Sequence, residues 1–79
     1  MNEIAKRLNR LGYHYLRKGD VTTAIRIFEL NVEMFPDAFN PWDSLAEAYL
    51  EADRPERAIE YYEKSLELNP GNDNGRRML

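Results

Sequence analysis

The sequence repeats itself at an offset of 34 residues, with no insertion needed to keep the register. In this register large apolar residues fall on large apolar residues, small residues on small ones, and proline on proline. The matched pairs are Leu8 with Trp42, Leu11 with Leu45, Gly12 with Ala46, Tyr15 with Tyr49, Ala24 with Ala58, Ile25 with Ile59, Phe28 with Tyr62, and Pro36 with Pro70. Such a period is typical of an array in which one supersecondary unit stacks on the next. We therefore expect one domain over residues 1–79, with repeats at 5–38 and 39–72 and the truncated start of a third helix pair at 73–79.

Each unit is predicted to contain two helices. In the first unit, apolar residues recur at steps of three and four, which places them on one face of a helix; they are Ile4, Leu8, Leu11 and Tyr15. Gly19 is expected to end this helix, because glycine tolerates the left-handed conformation found just beyond a helix end. Asp20 can then cap the second helix, which is expected to stop before Pro36.

The second unit repeats this plan with different residues at the helix ends. Asn40 is predicted as the N-cap of its first helix and Pro41 as the first helical residue. Asp53 stands where the first unit has its closing glycine. In the third copy of the register, Leu79 falls in the place of Leu45. The predicted fold class is all-α, an α-solenoid of two tandem helix-turn-helix hairpins plus the start of a fifth helix.

These anchors resemble the tetratricopeptide repeat, whose pattern is W-x2-L-G-x2-Y, then A-x3-F, then P. The second unit matches it with Trp42, Leu45, Ala46, Tyr49, Ala58, Tyr62 and Pro70. The first unit matches it with Leu8, Leu11, Gly12, Tyr15, Ala24, Phe28 and Pro36. The resemblance implies a protein-interaction module without catalytic activity. The stretch FELNVEMFPDAFNPWDSLAEAYL also looks like tetratricopeptide segments appended to bacterial serine hydrolases of the β-lactamase-like and esterase type, and these tails carry no catalytic residue.

Composition excludes several classes of site. The chain has no cysteine and one histidine, so we expect no thiolate metal site, no metal site of any other kind, no cofactor and no catalytic residues. Asp43, Ser44 and His14 suggest a hydrolase triad only by residue type, because no strained turn presents the serine. The apolar runs are too short to span a membrane. Residues 39–72 carry a net charge of −5 against +2 for residues 5–38, so nucleic acid is not an expected partner.

The resemblance implies a concave groove, lined by the first helix of each unit, that binds a protein or peptide. The implied groove positions are Lys6, Asn9, Tyr13, Leu16, Arg17, Asn40, Asp43, Glu47, Leu50 and Glu51. Some family members clamp a terminal carboxylate there with lysine and asparagine. This chain has Asp43 and Glu47 at the corresponding places. A ligand is therefore expected to be basic toward the second unit and acidic or neutral toward the first.

The alternative prediction is self-assembly. The third unit stops early, so the last complete helix is expected to leave an apolar stripe uncovered, carried by Ile59, Tyr62 and Leu66. Exposed apolar stripes of this kind favour association. The chain is accordingly expected to form a homodimer, including by exchange of helices between copies.

Overall fold

The computed structural model describes residues 2–78 and contains five α-helices within that range. They are α1 (Glu3–Arg17), α2 (Val21–Met34), α3 (Phe39–Glu51), α4 (Pro55–Leu68) and α5 (Asp73–Met78). The main packing contacts join α1 to α2, α2 to α3, α3 to α4 and α4 to α5, and α1 also touches α3. The all-α solenoid prediction is confirmed. Leu79, which was expected in register with Leu45, lies outside the described residues.

The turns inside the two hairpins have the same backbone geometry despite different sequences. Gly19 has φ +87° and Asp53 has φ +61°, so both residues occupy the left-handed region. The following amides reach back to the preceding helix in the same way, Asp20 N–H to the Tyr15 carbonyl and Arg54 N–H to the Tyr49 carbonyl, each at 2.9 Å. This is the Schellman pattern of helix termination. Aspartate can replace glycine here because its short side chain tolerates the left-handed region better than most residues do.

The starts of the second helices differ in how they are capped. The Asp20 carboxylate accepts a hydrogen bond from the Thr23 amide at 3.2 Å, which confirms its predicted role as N-cap of α2. The same bond lowers the pKa of Asp20, because it stabilises the charged carboxylate. In the second unit Arg54 is the N-cap and makes no side-chain cap bond, while Pro55 occupies the first turn of α4.

The predicted start of α3 was wrong. The helix begins at Phe39 with Ala38 as its N-cap, and no side chain caps it. Asn40 and Pro41 therefore lie inside the first turn instead of at its boundary. Proline is still tolerated because the first four amides of a helix have no intrahelical acceptor, so its missing N–H costs nothing there.

The core is built where large rings of one helix meet small residues of the next. Ala24, Phe28, Val32, Leu45 and Ala48 form one buried cluster that joins α2 to α3, and Ala46, Ala58 and Tyr62 form a second between α3 and α4. Phe28 also lies against α1, where Gly12 leaves room for its ring. In the second unit Ala46 takes the place of Gly12, and its methyl group packs with Tyr62.

We expect Gly12→Ala to destabilise the fold, although alanine is the better helix former. A Cβ atom at Gly12 would lie 2.6 Å from Cζ of Phe28, a ring that is fully buried. Overpacking of this kind costs about 1–3 kcal/mol, against a gain of about 1 kcal/mol in helix propensity. Urea unfolding should therefore show a lower midpoint. His14→Ala, an exposed change on the same helix, is the control, and a higher midpoint for Gly12→Ala would contradict the close approach.

Equivalent positions in the two units differ in burial because their neighbours differ. Leu45 is 1% exposed, since α2 packs over it, whereas Leu11 at the same place in the first unit is 45% exposed. Ile4, seven residues before Leu11 on the same face of α1, is exposed as well. No helix within residues 2–78 lies on this side of α1. The predicted apolar face of α1 therefore exists, but part of it is open to solvent.

The prediction that Ile59, Tyr62 and Leu66 form an uncovered stripe was wrong for two of the three residues. Tyr62 is 1% exposed and Leu66 is half-buried, whereas Ile59 is 47% exposed. The reason is that α5, although short, packs on α4 and brings Gly75 against Leu66. Only the Ile59 end of α4 stays open.

Candidate functional site

Side chains of α1, α3 and α5 meet on one side of the molecule, which we call the α1–α3–α5 face. Two hydrogen bonds join α1 to α3 across it. The Ser44 hydroxyl donates to Oδ1 of Asn9 at 2.5 Å, and the Tyr13 hydroxyl donates to Oε1 of Glu47 at 3.3 Å. Tyr13 also packs edge-on against Phe28, with ring centroids 5.2 Å apart. The structure thus brings predicted groove residues of both units together.

The α5 end of this face is held by amide side chains. Asp43 accepts hydrogen bonds from Nδ2 of Asn72 at 3.3 Å and from Nδ2 of Asn74 at 2.8 Å. Asn72 is buried and also donates to the Ser65 hydroxyl of α4 at 2.7 Å. The segment GNDNG therefore ties three helices together. Sequence reasoning missed Asn72 and Asn74, because an asparagine-rich segment is equally typical of an ordinary turn.

The remaining predicted groove residues follow the same helical faces by spacing. Lys6 and Arg17 are exposed on α1, and Leu50 and Glu51 are exposed on α3. Leu16 is half-buried against the core, and Asn40 is half-buried beside a cavity of about 200 Å³ that Asp37, Ala38 and Phe39 also line. The exposed members are thus basic on α1 and acidic on α3.

The acidic side chains of α3 form a row at intervals of four residues, Asp43, Glu47 and Glu51. Burial raises the pKa of Glu47, and the charges of Asp43 and Glu51 raise it further, while the hydrogen bond from Tyr13 opposes the shift. Burial and the neighbouring carboxylates raise the pKa of Tyr13 to about 12, so its hydroxyl remains a neutral donor at physiological pH. Within residues 2–78 the ion pairs are Glu3–Arg7 and Lys64–Glu67, and neither involves this row.

The residues that suggested a hydrolase do not come together. Ser44 is buried and bonded to Asn9, whereas His14 is exposed on α1 and its ring lies edge-on against Tyr15. A triad needs the serine and histidine within hydrogen-bond reach of each other. In residues 2–78 there is also no group of three or more His, Cys, Asp or Glu side chains placed to hold a metal ion.

Trp42 serves as a packing anchor with one exposed side. Its indole Nε1–H donates to the Pro36 carbonyl at 2.9 Å, and its ring stacks on Tyr61 with centroids 5.8 Å apart. It thereby links the connection before α3 to α4. None of the helices described is long and apolar enough to cross a membrane.

Comparison with known proteins agrees with this architecture. The family model described as tetratricopeptide repeat matches residues 3–70. The chain belongs to the tetratricopeptide repeat family. Proteins of this family are typically non-catalytic interaction modules, and Trp42, Leu45, Ala46 and Tyr49 are the repeat anchors of the second unit. The additional resemblance to hydrolase tails stays a prediction.

The chain is also similar to a curated protein, human superkiller complex protein 3. The two are 36% identical over 61 residues, which is 77% of this chain and 4% of the human protein. The tetratricopeptide chain described here therefore corresponds to a small part of that relative.

Proposed function

We propose that this tetratricopeptide chain is a protein-interaction module that binds an extended cationic peptide in a concave groove on its α1–α3–α5 face. The observation that carries the proposal is the row of Asp43, Glu47 and Glu51, which has no basic partner within residues 2–78. Neighbouring carboxylates repel one another, and a bound lysine or arginine relieves that repulsion. The raised pKa of Glu47 is the sign of this unrelieved charge.

The other exposed residues of the face define where the peptide's charges fall. Lys6 and Arg17 favour acidic or neutral ligand residues beside α1, while the acidic row favours basic residues beside α3. Leu50 is 39% exposed between them and offers an apolar contact. Asp43 already accepts two amide bonds from α5, so Glu47 and Glu51 are the carboxylates free to take a cationic side chain.

The proposal predicts a preference for basic peptides. Two labelled, unstructured peptides of equal length, one rich in lysine and one rich in glutamate, would be titrated with the chain and followed by fluorescence anisotropy. We expect the lysine peptide to bind and the glutamate peptide not to bind, with affinity falling as salt rises, because salt screens exposed charges. Equal binding of both peptides, or binding of neither, would contradict a cationic ligand.

A second candidate function, self-association, is favoured by exposed apolar side chains at the α1–α2 edge. Ile4 and Leu11 lie on one face of α1, and Leu30 and Met34 lie on one face of α2, with exposures between 45% and 53%. Leu30 corresponds to Lys64, whose amine lies over Trp42, the counterpart of Leu8. The exposed face of α2 therefore lies beside that of α1.

Self-association predicts a mass near twice 9.3 kDa by light scattering. Leu11→Glu should restore the monomer, because a charge at the centre of the edge is costly to bury. Leu50→Glu, an equivalent change on the α1–α3–α5 face, is the control and should leave the mass of the dimer unchanged. A monomeric parent chain at the highest concentration measured would exclude the dimer.

A further inference from the structure

A second recess lies between α3 and α4, away from the α1–α3–α5 face. It is a cavity of about 300 Å³ lined by Trp42, Glu60, Tyr61, Glu63, Lys64 and Glu67. A volume at the lower end of the range for ligand pockets suits one side chain rather than a larger molecule. Neither the peptide proposal nor the repeat pattern uses it.

The cavity has a flat aromatic wall. The rings of Trp42 and Tyr61 are 29° from parallel, and Tyr49 continues the row at 5.4 Å from Tyr61. The indole is held in place by its bond to the Pro36 carbonyl. Aromatic faces carry partial negative charge and attract cations, above all over tryptophan.

The chain already places one cation on this wall. The Lys64 ammonium lies 5.9 Å from the centre of the Trp42 ring and 3.8 Å from Oε1 of Glu67. Three glutamates and one lysine line the cavity, so its charge is not balanced internally. Lys64 can remain paired with Glu67 when another cation takes the ring.

We propose that this cavity binds the guanidinium group of an arginine from a partner protein, stacked on Trp42 and paired with Glu63 or Glu60. A guanidinium is planar, is less strongly hydrated than an ammonium and stacks on aromatic rings, which matches a flat wall with carboxylates at its rim. The first unit offers no such site, because Leu8, Ile27 and Leu30 stand where the second has Trp42, Tyr61 and Lys64.

The test uses the single tryptophan as its reporter. N-acetylarginine amide and its neutral isostere N-acetylcitrulline amide would be titrated with the full chain, following Trp42 fluorescence and the NMR signal of its indole N–H. We expect a saturable response to the arginine compound alone. Lys64→Gln should tighten binding about two- to five-fold, because it removes the internal competitor for the ring. Lys6→Gln, the same charge change on α1, should have no effect.

Further outcomes separate the alternatives. Glu63→Gln, an exposed change, should weaken binding, and circular dichroism would check that each variant stays folded. Equal responses to arginine and citrulline, no saturable response, or no tightening in Lys64→Gln would overturn the proposal. So would a stronger response to N-acetyl-trimethyllysine amide, since that would assign the wall to ammonium groups. Glu47→Lys should leave the Trp42 response intact, which keeps this test independent of the peptide proposal.

Discussion

Phe28→Ala is expected to unfold the chain in the absence of denaturant. Phe28 is fully buried, touches α1 at Gly12 and Tyr13, and belongs to the cluster that joins α2 to α3. Removing a buried phenylalanine ring costs about 3–5 kcal/mol. A domain of this size has only about 3–5 kcal/mol of stability in total. The one substitution thus removes most or all of the free energy of unfolding.

Far-UV circular dichroism and urea unfolding measure this effect directly. The matched control is Leu30→Ala, which also shortens a large apolar side chain on α2 but at a position that is 46% exposed. Exposed positions usually change stability by no more than about 0.5 kcal/mol. If Phe28→Ala kept a cooperative transition close to that of the control, the ring would not be the link between the hairpins.

Glu47→Lys is expected to abolish binding of a basic peptide while leaving the helices intact. The substitution replaces a half-buried carboxylate at the middle of the acidic row with an ammonium, and it also removes the acceptor of the Tyr13 hydroxyl. Opposed like charges at an interface cost several kcal/mol. We therefore expect affinity to fall by at least about tenfold, equivalent to about 1.4 kcal/mol.

The control for this prediction is Glu33→Lys, which makes the same change in net charge at an exposed position of α2. It should bind the peptide nearly as well as the parent chain. Equal losses in the two variants would mean that the peptide responds to net charge alone and has no particular site on α3.

Acidification should weaken the same binding. The pKa of Glu47 is raised, so this carboxylate loses its charge at a higher pH than an ordinary glutamate does. The charge that attracts the peptide is therefore present above its raised pKa and is lost as pH falls through it. In Glu47→Gln this part of the pH dependence should disappear.

Much of the fold follows from local sequence. The 34-residue register, the ends of α2 and α4 before Pro36 and Pro70, and the Asp20 cap all depend on residues close together in the chain. The left-handed turn at Asp53 could be placed by register with Gly19. Small residues such as Gly12 could be assigned to helix contacts because each faces a large ring in the repeat pattern.

What could not be predicted depends on contacts between distant residues. The burial of Tyr62 depends on α5 folding back on α4, and the exposure of Leu11 depends on which helices lie beside α1. Asn31, at the place of Ser65, is fully buried and donates its amide to the Ala5 carbonyl at 3.0 Å. A lone asparagine in an apolar helix gives no signal of such a partner. The bonds from Asn72 and Asn74 to Asp43 were hidden for the same reason.

Backbone NMR of the isotopically labelled chain during titration with the lysine-rich peptide tests the central claim most directly. The account predicts that shifts concentrate at Glu47 and Glu51, with Tyr13 also affected because its hydroxyl bonds to Glu47. Amides of α2 should change little. Shifts confined to α2 and α4, or spread evenly over the surface, would show that the α1–α3–α5 face is not where this module takes its partner.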